Sequence, residues 1–485
     1  MRTLALSLLI AAGCAHAAPL ETHASHGSLV FRIRAAPLAN LAYQLDCLSG
    51  TVACTQSLFH DLWKATWTPA DDGALAVWRS VRRRYRSSFD LADRTRLSYG
   101  SRVRTASLLS ESIDEYLRWL DVLVLPGDRA KLHITLDQFW PRFSTWWTAH
   151  GRETVAAPLQ RFTALLADPQ VANRFEQIAH FYQPALGPQT EVTFDLIARP
   201  ASSSEGMHAE TNDDHLVIEV GAGDSIESRL PVAAHELCHF FYASRPAAAA
   251  ATLKDRFAAS PDPLATIASD LMDESLATLF GNVFVGRVVA PEETARRIAQ
   301  ANGLYNDRNI DRTAKALVDH VDTLVASTVD DDAFFSAYLH AIHVGLGDAP
   351  APSAYLREFL LGHSPTMQAA SERFTRETKA QSVYSSVLTT PAAATEVTHN
   401  PRFTVVALMA AADLTASEVY MKSLDPALFE NVRAELGRGA PFVVAIPRPP
   451  HGMVFVLVAD DPASMDHLVD ALLARKDALH GVMRP

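Results

Sequence analysis

The chain has 485 residues, 48% of them hydrophobic and 20% charged. That composition belongs to folded chains and excludes an intrinsically disordered one. The formal net charge of −12 excludes nucleic acid as the main partner, because phosphate binding needs clustered Lys and Arg.

The length implies about two to four domains. At the N-terminus, Arg2 is followed by the apolar stretch Leu4 to Ala12 and then by Ala15-His16-Ala17. A short positive start, an apolar run too short to span a bilayer and a small-x-small site form an export signal. Cleavage after Ala17 and a secreted or periplasmic location are expected. Ala11-Ala12-Gly13-Cys14 also resembles a lipoprotein processing site, so a lipid anchor at Cys14 is the alternative. No later segment has the apolar length of a transmembrane helix.

Residues 28–34, SLVFRIR, alternate as a strand does. Cys47 and Cys54, in LDCLSGTVAC, have the spacing of a local disulfide in an oxidising compartment. From Leu38 to Leu186 the chain reads as helices, with apolar spacing over 74–85, 108–125 and 162–182. Pro126-Gly127 and Asp168-Pro169 are breakers between them. The basic run Arg82-Arg83-Arg84 is expected on a solvated helix face. Trp140, Trp146 and Trp147 are expected in the core.

After Pro184–Pro188 the period changes to two. Val192, Phe194, Leu196 and Ala198 alternate, the polar stretch ASSSEGMHAETNDD follows, and Leu216, Ile218 and Val220 alternate again. Two strands across a long polar loop predict an antiparallel pair. The loop from Gly221 to Arg229 then leads into a helix carrying His235-Glu236-Leu237-Cys238-His239. Further helices are predicted over 264–280, from Pro291, and over 314–326 and 333–344. Residues 379–402 read as a linker. The remainder reads as a small α/β unit, with a strand over 403–410, helix over 416–436 broken at Asp425-Pro426, a hairpin from 442–446 and 453–458, and a last helix opened by Asp461-Pro462. The expected organisation is a signal peptide (1–17), a helical N-terminal domain (18–190), a domain carrying HELCH (191–378), a linker (379–402) and a small α/β domain (403–485). The expected class is mainly α with α+β parts.

Zinc hydrolysis needs three protein ligands, one open position and a base. Two histidines four residues apart lie one turn apart on one helix face, so His235 and His239 can grip one ion. Glu236 projects beside that face, within reach of a water molecule at the metal. Cys238 points away from it and is expected as a buried small hydrophobe. The chemistry indicated is a zinc-dependent hydrolase, most simply one acting on peptides or proteins.

HELCH followed by Asp273-Glu274-Ser275-Leu276-Ala277 resembles the gluzincin clan of zinc metallopeptidases, which includes the thermolysin-like enzymes and the M1-type aminopeptidases. The resemblance spans residues 192–345 and implies a zincin-like core of strands, the HExxH helix and a helical second lobe. It implies Glu274 as third ligand, in the pattern E-x-x-A with Ala277. The metzincin pattern is excluded, because the sixth position after His239 is Arg245. The interval from His239 to Glu274 is longer than in thermolysin-like enzymes, and Ala247 to Ala259 reads as an inserted helix. Asp270 and Asp273 are placed either to accept the outer ring N–H of a ligand histidine or to replace Glu274 as ligand. The family also stabilises the oxyanion with a Tyr or His, for which Tyr338, His340, His343 and Tyr242 are the candidates. The strand Leu216 to Val220 is expected to pair with an extended substrate. The rival reading is a non-catalytic zinc-containing periplasmic binding protein; an intact Glu236 favours the enzyme, since structural zinc needs no base.

Overall fold

The computed structural model describes residues 19–27, 29–52, 56–85, 99–187, 190–199, 208–221, 223–378, 380, 382–449 and 452–484. The export signal, Cys14 and Cys54 lie outside the described residues. The protein is mainly helical, at 62% helix, with two mixed sheets, in keeping with the expected class. None of the described helices is long and apolar enough to cross a membrane. The chain forms two compact units, residues 1–176 with 186–240 and residues 177–185 with 241–485.

The first unit opens with the hairpin β1 (Leu20–His26) and β2 (Leu29–Ala35). Gly27 in its turn has φ 56°, a conformation that favours glycine. Then come α1 (Pro37–Leu48), α2 (Gln56–Trp63), α3 (Pro69–Arg84), α4 (Tyr99–Leu109), α5 (Ile113–Leu123), α6 (Pro126–Trp146), α7 (Arg152–Leu166) and α8 (Pro169–Tyr182), the last of which runs on into the second unit. Local chemistry sets several starts. Pro37, Pro69 and Pro126 each stand at a helix N-terminus, where the missing N–H costs nothing. Pro126-Gly127, expected as a breaker between helices, falls where α5 has ended and α6 begins. Thr68 and Asp71 form a capping box, and the Ser112 side chain accepts from the Glu115 N–H.

Strands β3 (Glu191–Arg199), β4 (Ala209–Asn212) and β5 (His215–Gly221) complete a five-stranded sheet of order β1-β2-β3-β5-β4. The expected antiparallel pairing of the two alternating segments is corrected here. β3 and β5 run parallel, with Phe194 opposite Leu216 and Leu196 opposite Ile218. The polar stretch between them contains β4, which pairs antiparallel with β5 through Asn212 and His215 across the turn Asp213-Asp214. The extra strand reverses the chain once more and restores its direction. The basic run is also corrected. Arg82 is buried and gives two hydrogen bonds of 2.9 Å to the buried Asp46, so only Arg83 and Arg84 are exposed. The HELCH helix is α9 (Ile226–Ala243).

The second unit continues with α10 (Ala247–Ala259), where an inserted helix was expected, and α11 (Ala265–Ala277), which runs into a π-helical stretch over Thr278–Val285. Then follow α12 (Gly286–Val289), α13 (Pro291–Ala299), α14 (Arg308–Ala316), α15 (Val321–Val325) and α16 (Asp332–Leu346). A six-stranded sheet comes next, built from β6 (Glu358–His363), β7 (Ser382–Val387), β8 (Thr404–Ala410), β9 (Phe442–Arg448), β10 (Gly452–Ala459) and β11 (Gly481–Met483), in the order β11-β9-β10-β8-β6-β7. Its connections carry α17 (Gln368–Glu377), α18 (Pro391–His399), α19 (Glu418–Leu424), α20 (Leu428–Leu436) and α21 (Pro462–Ala474). Asp461 caps α21 by accepting from the Ser464 N–H at 2.9 Å. Residues 379–402, expected as a linker, contain β7 and α18. The strand has a weak pattern because Ser385 and Ser386 interrupt its apolar residues, and Pro391 is the first residue of a helix.

Candidate metal centre

Helix α9 holds His235 and His239 on one face, and the Nε2 atoms of the two rings lie 3.0 Å apart. Nitrogens bound at about 2.0–2.1 Å to one tetrahedral ion sit roughly 3.3 Å apart, so this separation fits shared ligation. His235, His239 and Glu274 each offer one ligand atom, and these atoms all lie within 4.8 Å of one another. His235 is buried and the other two are half-buried. The triad can therefore hold a metal ion. Among the described residues no other group of three His, Cys, Asp or Glu side chains converges in this way. Asp270 and Asp273, the alternative ligands, are not part of the group, and both are half-buried on α11. Cys238 is fully buried, and it too is outside the group.

Glu236 is buried on α9 beside the two histidines. Its carboxylate Oε2 lies 2.8 Å from the Thr211 hydroxyl, and its main-chain carbonyl lies 2.9 Å from the same hydroxyl. Thr211 belongs to β4, the terminal strand of the sheet. Glu274 faces a cation: Arg357 Nη2, just before β6, is 3.5 Å from Glu274 Oε1. Arg357 is itself buried.

The expected oxyanion donors lie in different settings. Tyr338 is fully buried, with its hydroxyl 2.9 Å from Ser275 Oγ on α11. Burial pushes its phenol well above the ordinary range, against the bond to Ser275. It anchors the helix that carries Glu274. His340 is exposed. His343 has both ring nitrogens engaged, Nδ1 with Asp348 at 2.7 Å and Nε2 with Asp262 at 2.9 Å. The bond to Asp262, opposed by burial and aided by Asp348, raises its imidazolium pKa above the ordinary value. Tyr242 is half-buried, edge-on to Tyr182 at 6.2 Å. Of the expected disulfide, Cys47 is buried on α1 and Cys54 lies outside the described residues.

In comparisons with known proteins the chain matches no family model, no curated protein and no solved structure. The geometry of the site therefore has to carry the functional reading. An open groove of about 880 Å³, lined by Trp146, His150, Glu153, Arg161 and Glu227 among others, contains none of the triad. Convergence of ligand atoms, not cavity size, marks the candidate site.

Sequence reading missed two residues at this centre, Thr211 and Arg357. Thr211 had a readable signal, because Asn212-Asp213-Asp214 are turn formers that announce a hairpin. Asp213 indeed has φ 59°. Arg357 had none, since its partner is 83 positions away.

Proposed function

We propose that this chain is an exported zinc-dependent hydrolase, a metallopeptidase of the gluzincin type. The observation that carries the reading is the convergence of His235, His239 and Glu274 within 4.8 Å, with Glu236 on the same helical turn. Two imidazoles and one carboxylate are the donor set of hydrolytic zinc sites, which keep a fourth position for water or substrate. When bound, zinc supplies Lewis acidity, which makes water a nucleophile near neutral pH and polarises a carbonyl group.

The chain's own residues do the rest. His235, His239 and Glu274 would hold the ion, and Arg357 lies 3.5 Å from the Glu274 carboxylate. Glu236 takes the proton of the attacking water and delivers it to the leaving amine. The substrate is a peptide or protein in extended form. β5, expected to pair with it, has β3 on one side and β4 on the other, so its main chain is already used. Among the described residues β4 is the edge strand on that side of the sheet, β1 being the other edge, and β4 is the strand we propose for pairing.

The test begins with metal analysis of the purified protein. One zinc per chain is expected in the wild type, with strong loss in His235→Ala, His239→Ala and Glu274→Ala. A peptide library should be cut by the zinc-loaded wild type and spared after chelation. A library left whole by fully zinc-loaded protein would end the hydrolase reading.

A further inference from the structure

We propose that Thr211 is a positioning residue that fastens Glu236 to the edge strand β4, so that strand and base move as one. Its catalytic half rests on the hydrolase reading above; its structural half does not.

β4 has only four residues and, among the described residues, is paired on one side. A strand so short gains little from its ladder, and side chains tie it down instead. Glu210 is ion-paired with the buried Arg104 of α4 and also accepts from Asn212 Nδ2 at 2.8 Å. The His208 N–H, at the entry to the strand, donates to Glu219 Oε2 at 3.2 Å. Neighbouring residues of a strand face opposite ways. Glu210 therefore secures one face of β4 to α4, and Thr211 secures the other to α9 through Glu236.

The Thr211 hydroxyl has a single proton and two acceptors at nearly equal reach, the Glu236 carboxylate at 2.8 Å and the Glu236 carbonyl at 2.9 Å. A charged acceptor wins such a choice, because hydrogen bonds to ions are about twice as strong. The bond therefore falls on Oε2 while Glu236 is ionised and leaves Oε1 to receive a proton. A glutamate has three side-chain torsions to fix, and fixing them during the reaction would cost conformational entropy. Thr211 fixes them beforehand. A substrate chain paired on the outer edge of β4 is then held by the same strand that aligns the base.

The test uses the full chain with Thr211→Val and Thr211→Ser. Valine keeps the shape and removes the hydroxyl; serine keeps the hydroxyl. With zinc loaded, Thr211→Val should lose about 10- to 100-fold in kcat, the range for a hydrogen bond to a charged group. Its KM should stay within about two-fold and its zinc content at the wild-type level. Thr211→Ser should recover most of the loss. A Thr211→Val enzyme with wild-type kcat, or a serine variant as slow as the valine one, overturns the catalytic half.

Hydrogen exchange, which needs no activity, tests the fastening itself. The amides of Ala209–Asn212 should exchange faster in Thr211→Val, which removes the hydroxyl from both acceptors, and at the wild-type rate in Thr211→Ser. Unchanged exchange in Thr211→Val overturns the fastening even if wild-type protein cleaves peptides. Faster exchange in Thr211→Val with no cleavage of any peptide by wild type upholds the fastening and overturns the hydrolase reading alone.

Discussion

In the five-stranded sheet, β3 and β5 bury Asp195, His215 and Glu219, and Arg199 at the end of β3 is fully buried as well. In the six-stranded sheet β10 buries only apolar side chains, and β8 adds the single polar residue Thr404. The second sheet separates two apolar clusters, one containing Phe455, Leu457 and Leu468, the other Val456, Val458 and Phe429. Strands covered on both faces are expected to be apolar throughout, and β10 obeys the rule. β3 and β5 break it, as do Glu358 and His363 of β6 and Arg448 of β9 in the second sheet, and the exceptions in the first sheet have close partners. His215 Nδ1 is 2.6 Å from Asp195 Oδ2, and Glu219 accepts from Tyr43 at 2.8 Å. Asp46 on α1 joins Trp78, Arg82 and Arg104 at 2.8–2.9 Å. Burial opposes the charged form of Asp46, yet the two arginines hold its carboxyl below the usual range. A buried polar network is costly unless fully paired. Here it lies in the unit whose edge strand reaches Glu236, whereas the six-stranded sheet carries no part of the triad.

The sharpest contrast between the two regions is catalytic. Glu236→Gln keeps the size of the side chain and, on the proposed function, removes the base. Turnover should fall by about 100- to 10,000-fold, with zinc content unchanged by elemental analysis. Substitutions in the six-stranded sheet that leave the protein folded should not alter turnover. If Glu236→Gln cleaves peptides at the wild-type rate, the base has been misassigned.

Stability distinguishes the sheets next. Asp195→Ala strands a buried imidazole and should cost about 3–5 kcal/mol, as removal of one partner from a buried pair does. Leu457→Ala in β10 removes packing alone and should cost about 2–5 kcal/mol. Urea midpoints will measure both. The two variants should part company in their pH dependence. Burial disfavours the His215 imidazolium, but the hydrogen bond to Asp195 and its charge outweigh that, and the net shift is upward from 6.5. A raised folded-state value gives stabilisation that is complete below the unfolded value and lost as pH rises through the folded one. Wild type and Leu457→Ala should both lose stability from near neutral pH upward through this group. Asp195→Asn should lack that part of the slope, and a slope identical to wild type would remove the pair from the account.

The smallest effect belongs to the surface. Lys422 and Glu418 form an exposed i,i+4 pair on α19, and Lys422→Ala should change stability by no more than about 0.5 kcal/mol. A loss beyond about 1 kcal/mol would mean that exposed charges in the second unit count for more than the buried pairs of the first suggest.

The parts of the fold legible in the sequence were those whose signal is local. The period-two runs appear as β3 and β5, the hairpin across Pro449 as β9 and β10, and Asp461-Pro462 as the start of α21. Less local features were read wrongly or not at all. β6 was not anticipated, because a strand buried along its whole length, as Glu358–His363 is, shows no alternation. The pairing direction of β3 and β5 turned on four residues in a polar stretch. Arg82 looked like a solvated charge because its neighbours are charged, whereas in the fold it is buried against Asp46, 36 positions away.

At the candidate centre the same division holds. Spacing alone determined that His235 and His239 share a helix face with Glu236 beside them, because helical periodicity is a property of consecutive residues. Whether Glu274, Asp270 or Asp273 would join them could not be decided that way, since all three lie on one helix within about a turn. The tertiary structure brings Glu274 into the group. It also fastens Glu236 to Thr211 and sets Arg357 against Glu274. Each of those contacts joins residues at least 25 positions apart. Such contacts depend on how whole elements pack, and packing is decided by the summed burial and pairing of many residues, not by the pattern of any one segment.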